Sequence, residues 1–191
     1  MEAFWVSAVV VAVGEIGDKT QLLALMLASR WRAPGAILLG ILCATLANHA
    51  LAGGLGVWLA QLIGPSVLRW IVGLSFLALA AWALVPDRAD DDEAQRAPGR
   101  WGAFGATLVC FFLAEMGDKT QLATVALAAE YKQLVAVVGG TTLGMMVADA
   151  PAVLLGSFAA HRIPFRVVRL VAAALFAVLG VLTLASPFAA R

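Results

Sequence analysis

The chain has 191 residues, of which 62% are apolar and 13% charged, with a net charge of +1 and a mean hydropathy of +0.93. A soluble domain is about 45–50% apolar and about 25% charged, so the polar surface here is too small to cover a water-soluble globule, and the chain reads as an all-α integral membrane protein. The same figures exclude a disordered chain, a collagen-like chain and a disulfide scaffold, and give no electrostatic reason to expect nucleic acid as a partner.

Six apolar stretches reach the roughly 20 residues that a helix needs to cross a bilayer. They are 4–28, 35–61, 66–86, 102–129, 134–160 and 164–186. The first begins MEAFW, without a basic leader, and is too long for the apolar part of a cleaved signal peptide. Between the third and fourth lies PDRADDDEAQRAPGR, residues 86–100. It is charged and flanked by prolines, and reads as a solvated linker between a first half, 1–85, and a second, 101–191. Trp5, Trp31, Trp58, Trp70, Trp82, Trp101 and Tyr131 fall near span ends, as an aromatic belt does. Cys43 and Cys110 lie inside apolar runs and suit neither a disulfide nor a zinc site.

Loop cations set the expected orientation. One side carries Arg30, Arg32, Arg88, Arg96, Arg100, Arg162, Arg166 and Arg169, against Arg69, Lys132 and Arg191 on the other. The positive-inside rule then places both termini outside and the acidic linker in the cytoplasm.

Shifted by 100 residues, the sequence aligns with itself without gaps, with about 26 of the 91 overlapping positions identical. Gly40 matches Gly140, Gly56 matches Gly156, Arg69 matches Arg169 and Phe76 matches Phe176. The strongest match sets EIGDKTQL at 15–22 against EMGDKTQL at 115–122. Three spans per half is an odd number, so the second copy enters the membrane the other way up. The expectation is six transmembrane helices in two inverted-topology three-helix repeats, an arrangement common among secondary transporters.

Glu15 lies about eleven residues into the first span, near the bilayer midplane at about 1.5 Å per residue. Glu115 lies at a similar depth. An ionisable group there costs at least ~2.5–3.5 kcal/mol, which a purely structural role rarely justifies four times over. On one continuous helix, Glu15, Asp18 and Gln21 share a face, as do Glu115, Asp118 and Gln121. Together the two faces offer four carboxylates and two amide oxygens, with hydroxyls from Thr20 and Thr120 nearby. Oxygen ligands suit the hard cations calcium, manganese and magnesium, whereas zinc or copper favours His and Cys. Gly17 and Gly117 give the helix a place to loosen and free backbone carbonyls. Lys19 and Lys119, one turn from the glutamates, pair with them in an empty site or merely offset buried charge.

The second span of each half adds Asn48 and His49, aligned with Ala148 and Asp149. His49 is a candidate proton carrier or a helix-packing residue. Met145 and Met146, one turn before Asp149, offer soft thioethers but more naturally fill gaps. Five carboxylates crowded at low dielectric do not all ionise without a cation. Binding a divalent ion should therefore release protons, and cation–proton exchange is the simplest mechanism.

Twin E-x-G-D-[KR]-[ST] motifs on the first and fourth spans of a six-span chain resemble the GDT family. These are manganese/calcium–proton exchangers of the Golgi membrane and manganese exporters of bacterial inner membranes. EIGDKT and EMGDKT fit without departure. The resemblance implies export of a divalent cation, Mn²⁺ first and Ca²⁺ as the alternative, in exchange for protons. It carries the motif acids onto Glu15, Asp18, Glu115 and Asp118, and implies a bacterial inner-membrane location and no cofactor beyond the transported ion.

Three other readings compete. An intramembrane aspartyl protease also uses Gly-Asp pairs, as at Gly17-Asp18 and Gly117-Asp118. Here Glu15 and Glu115 replace the first glycine of that pattern, and the only tyrosine, Tyr131, precedes Lys132 rather than an aspartate. A passive channel would move the ion without protons. A helical scaffold leaves the midplane acids unexplained.

Overall fold

A computed structural model describes residues 1–85, 102–155 and 165–185. The linker 86–100 and the cations Arg88, Arg96, Arg100, Arg162 and Arg191 lie outside the described residues, as does Gly156. All regular structure among the described residues is helical, in eight helices. They are α1 (Glu2–Glu15), α2 (Lys19–Trp31), α3 (Pro34–Leu62), α4 (Pro65–Ala83), α5 (Gly102–Ala114), α6 (Lys119–Tyr131), α7 (Leu134–Leu155) and α8 (Phe165–Ala185).

Four of them, α3, α4, α7 and α8, are long and apolar enough to cross a membrane. The other four are 13 or 14 residues long, roughly 20 Å each and short of the bilayer's roughly 30 Å core. The expectation of unbroken helices over 4–28 and 102–129 is therefore corrected. Each of these stretches is two helices separated at the motif. The cause is local. Gly17 and Gly117 adopt φ +83° and +79°, a left-handed geometry that ends a helix and that glycine adopts without strain. Asp18 and Asp118 follow in extended conformation and restart the chain as N-caps. The Asp18 carboxylate accepts from the Lys19 amide at 2.6 Å, and the Asp118 carboxylate from the Thr120 amide at 3.5 Å.

The halves are packed into each other. Gly140 on α7 lets α1 approach so closely that a β-carbon there would lie 2.2 Å from the Phe4 carbonyl and 3.0 Å from Ser7. Gly40 on α3 does the same for α5, where a β-carbon would meet Thr107 at 2.8 Å and the Phe104 carbonyl at 2.9 Å. The two contacts are counterparts, each residue of one lying 100 positions from its equivalent in the other. The rings of Phe76 on α4 and Phe176 on α8 stack at 6.5 Å, again a matched pair. One apolar core joins α1, α4, α6 and α8 with the start of α7, and a second joins α2, α3, α5 and α7. Met146 packs against the second core and Met145 is fully buried, which fits their gap-filling role. Leucines, valines and tryptophans such as Leu51, Trp58, Leu74, Leu170 and Val178 are exposed on the outer faces, as on a surface in contact with lipid.

Candidate metal centre

The two breaks meet in the interior. Glu15 ends α1 and Glu115 directly follows α5, and neither side chain reaches solvent. The chain turns back over each glutamate, so that the threonine in the first turn of the next helix faces it. Thr20 donates to Glu15 Oε2 at 2.7 Å, and Thr120 to Glu115 Oε2 at 3.0 Å. The other oxygen of each glutamate, Oε1, is buried and has no hydrogen-bond partner among the described residues. Glu15, Glu115 and Asp118 each offer a carboxylate oxygen, all within 4.8 Å of one another. Asp18 stands outside that trio.

Gln21 and Gln121 brace the breaks. Gln21 Oε1 accepts from the Gly17 amide at 3.1 Å, and Gln121 Oε1 from the Gly117 amide at 2.7 Å. Each glutamine donates onward to the opposite half. Gln21 Nε2 reaches the Ala148 carbonyl at 2.9 Å, and Gln121 Nε2 donates to Asn48 Oδ1. Asn48 in turn donates to the Phe112 carbonyl at 3.2 Å. The pairing of Gln121 with Asn48 therefore matches that of Gln21 with the backbone at Ala148, one position before His49 and Asp149 respectively.

The lysines depart from the expectation that they pair with glutamates one turn away. The broken helix removes that spacing, and each lysine instead reaches the aspartate of the other half. Lys119 Nζ lies 2.9 Å from Asp18 Oδ2, and Lys19 Nζ lies 3.5 Å from Asp118 Oδ1. The shared helix face expected for Glu15, Asp18 and Gln21, and for their counterparts, is corrected for the same reason. The acids converge because the helices stop. Only the glycine inside each motif signalled this, and nothing in the sequence signalled the exchange of lysines between halves.

His49 and Asp149 are fully buried, and among the described residues neither His49 ring nitrogen nor either Asp149 oxygen has a hydrogen-bond partner. Asp149 follows Ala148, whose carbonyl accepts from Gln21, and is thereby set beside the first break. Glu15, Asp18, Glu115, Asp118 and Asp149 thus face two lysine charges. Buried carboxyl oxygens without partners among the described residues, on more acids than the lysines can offset, suit a hard divalent cation that displaces their protons.

Fold and site define a class: a helical membrane protein whose interior gathers buried carboxylates at two helix breaks. The chain belongs to the GDT1 family of divalent cation/proton antiporters, whose profile matches residues 3–91 and 103–190. That is a family of transporters, not of enzymes, which sets aside the protease reading. The chain is 46% identical over 184 residues to a Vibrio cholerae protein named "Putative manganese exporter", covering 96% of this chain and 90% of that one. It is 30% identical over 202 residues to a GDT1-like protein of Synechocystis, covering 96% and 97% of the two chains. A GDT1-like protein of Oryza sativa is 30% identical over 200 residues, covering 92% of this chain and 71% of its own length. No solved structure matches the chain.

Proposed function

We propose that the protein exports Mn²⁺ from the cytoplasm in exchange for protons. The observation that carries this reading is the buried trio of Glu15, Glu115 and Asp118, with two carboxylate oxygens that have no hydrogen-bond partner among the described residues. Asp18 joins the site when the transporter rearranges. Thr20 and Thr120 hold the glutamates, Gln21, Gln121 and Asn48 brace the helix breaks that carry the acids, and the two threonine hydroxyls are near enough to the acids to serve as further ligands. The name of the Vibrio cholerae relative favours manganese, while an all-oxygen donor set also suits Ca²⁺.

On this reading α1–α2 and α5–α6 each make one broken crossing. With α3, α4, α7 and α8 they give six crossings in two inverted repeats, residues 1–85 and 101–191, joined by the cytoplasmic linker 86–100. Broken helices that aim side chains and free backbone at a midplane ion are a recurring transporter device. The distribution of arginines supports termini outside a bacterial inner membrane. His49 and Asp149, buried and unpaired beside the glutamine braces, are the proposed proton path.

The test is transport by everted vesicles, with Mn²⁺ and Ca²⁺ compared and internal pH followed. Mn²⁺ uptake coupled to proton efflux is the expected result. Uptake of Mn²⁺ without proton movement means a channel. Uptake of Ca²⁺ in preference to Mn²⁺ makes the protein a Ca²⁺/H⁺ antiporter.

A further inference from the structure

We propose that Lys19 and Lys119 are tethered counter-ions, each standing in for the transported cation at the aspartate of the opposite half when the site is empty. The inference rests on the cation-transport reading above and assigns a role that the trio of acids does not supply.

The two cross-half pairs are alike in chemistry and unlike in geometry. Lys119 and Asp18 are 2.9 Å apart, with side chains only 6% and 0% exposed. Lys19 and Asp118 are 3.5 Å apart, and the lysine is 24% exposed. The candidate cation cluster takes its aspartate from the looser pair. Asp118 joins Glu15 and Glu115, whereas Asp18, held by the tight pair, does not. A cation and a lysine therefore compete for Asp118, and Lys119 keeps Asp18 out of the cluster.

A lysine suits this work. Its ammonium is a compact point charge on a flexible stem, able to satisfy a carboxylate and to leave it without dragging backbone. A divalent cation entering among Glu15, Glu115 and Asp118 places like charge beside the Lys19 ammonium. Lys19 already touches solvent and can withdraw toward it, whereas Lys119 is enclosed. The matched halves supply the converse arrangement, in which Lys119 is the loose partner and Asp18 the available ligand. Alternation between the two arrangements moves the cation between Asp118 and Asp18. In the empty carrier, both lysines offset carboxylate charge that would otherwise hold the site to whichever state keeps a cation. The cation-free protein, loaded with its protons, can then return, and net cation–proton exchange rather than one-for-one cation exchange results.

The experiment uses the full chain, reconstituted in nanodiscs for Mn²⁺ binding and in liposomes for flux. Lys19→Gln is the first variant, because its site tolerates exposure, and Lys119→Gln the second. Removing a competing cation should tighten Mn²⁺ binding about tenfold, within the range of ordinary coupling between ligands. Exchange of internal for external Mn²⁺ should persist while net Mn²⁺ flux against a proton gradient falls at least tenfold. Lys19→Arg should keep both modes. If the lysines are only structural props, the glutamine variants bind Mn²⁺ no tighter than the unaltered protein, or lose both flux modes together, and the inference is overturned. Should Lys119→Gln fail to assemble, Lys19→Gln alone decides. An unaltered protein that binds no Mn²⁺ sinks the cation reading and this inference with it, whereas normal binding with unchanged affinity in both glutamine variants sinks the inference alone.

Discussion

At the residue scale, the site depends on which carboxylate oxygens are already engaged. Thr20 and Thr120 each fix one oxygen of a glutamate and leave the other pointing at the shared interior. Glu15→Gln and Glu115→Gln each replace a carboxyl group proposed as a ligand by a neutral amide and should abolish Mn²⁺ export while the protein still reaches the membrane, as measured by survival in high manganese beside immunoblots of membrane fractions. Thr120→Val keeps shape but loses the donated hydrogen bond. A hydrogen bond to a charged group contributes about 1.5–3 kcal/mol, so Mn²⁺ affinity should fall roughly tenfold or more in a binding titration. That these acids gather in the interior was legible in the sequence, because carboxylates repeated at matched depths in apolar spans are costly to keep there, although Asp18 stands outside the trio. The roles of their neighbours were not. Whether Gln21 faces a metal or a backbone amide depends on a turn that side-chain periodicity does not encode.

At the scale of elements, the helix breaks decide the chemistry. On unbroken helices Lys19 and Lys119 would neutralise their own glutamates. Broken, the chain frees Glu15 and Glu115 and sends both lysines across the molecule. The apolar runs extend through the motif, so hydropathy alone predicts one long helix. Glycine at 17 and 117 was the only local cue, and it became decisive with the following aspartate, which caps what comes next. Gly117→Ala tests the point. A β-carbon there meets no neighbour within 4 Å, so its effect is backbone strain alone. The left-handed region costs a non-glycine residue about 1–2 kcal/mol. The variant should lower transport well below its effect on thermal stability, measured as flux against the melting temperature in detergent.

At the scale of the whole molecule, the 100-residue spacing predicted which positions correspond but not that they would touch across halves. Close approaches at Gly40 and Gly140 knit α3 to α5 and α7 to α1. Gly140→Val should therefore destabilise the protein by at least ~1 kcal/mol, since overpacking against a backbone carbonyl leaves nothing flexible to move. Gly54→Ala, with nothing within 4 Å, should be nearly neutral in the same melting experiment. The unequal pair His49 and Asp149 is where the two halves diverge in chemistry. His49→Ala should weaken the dependence of Mn²⁺ flux on an imposed pH gradient more than it weakens Mn²⁺ binding, and a normal gradient dependence in His49→Gln would remove His49 from the proton path.

The stacked rings of Phe76 and Phe176 have an evolutionary consequence. A residue that meets its own counterpart sits where two identical ancestral chains would have met on their symmetry axis. On the proposed inverted-repeat reading, such a pair of small proteins became one chain by fusion of their genes. If so, the covalent join between the halves is a convenience of expression. A chain cut within 86–101 and produced as two coexpressed pieces should reassemble and still carry Mn²⁺, whereas either piece alone would have to find a second copy of itself.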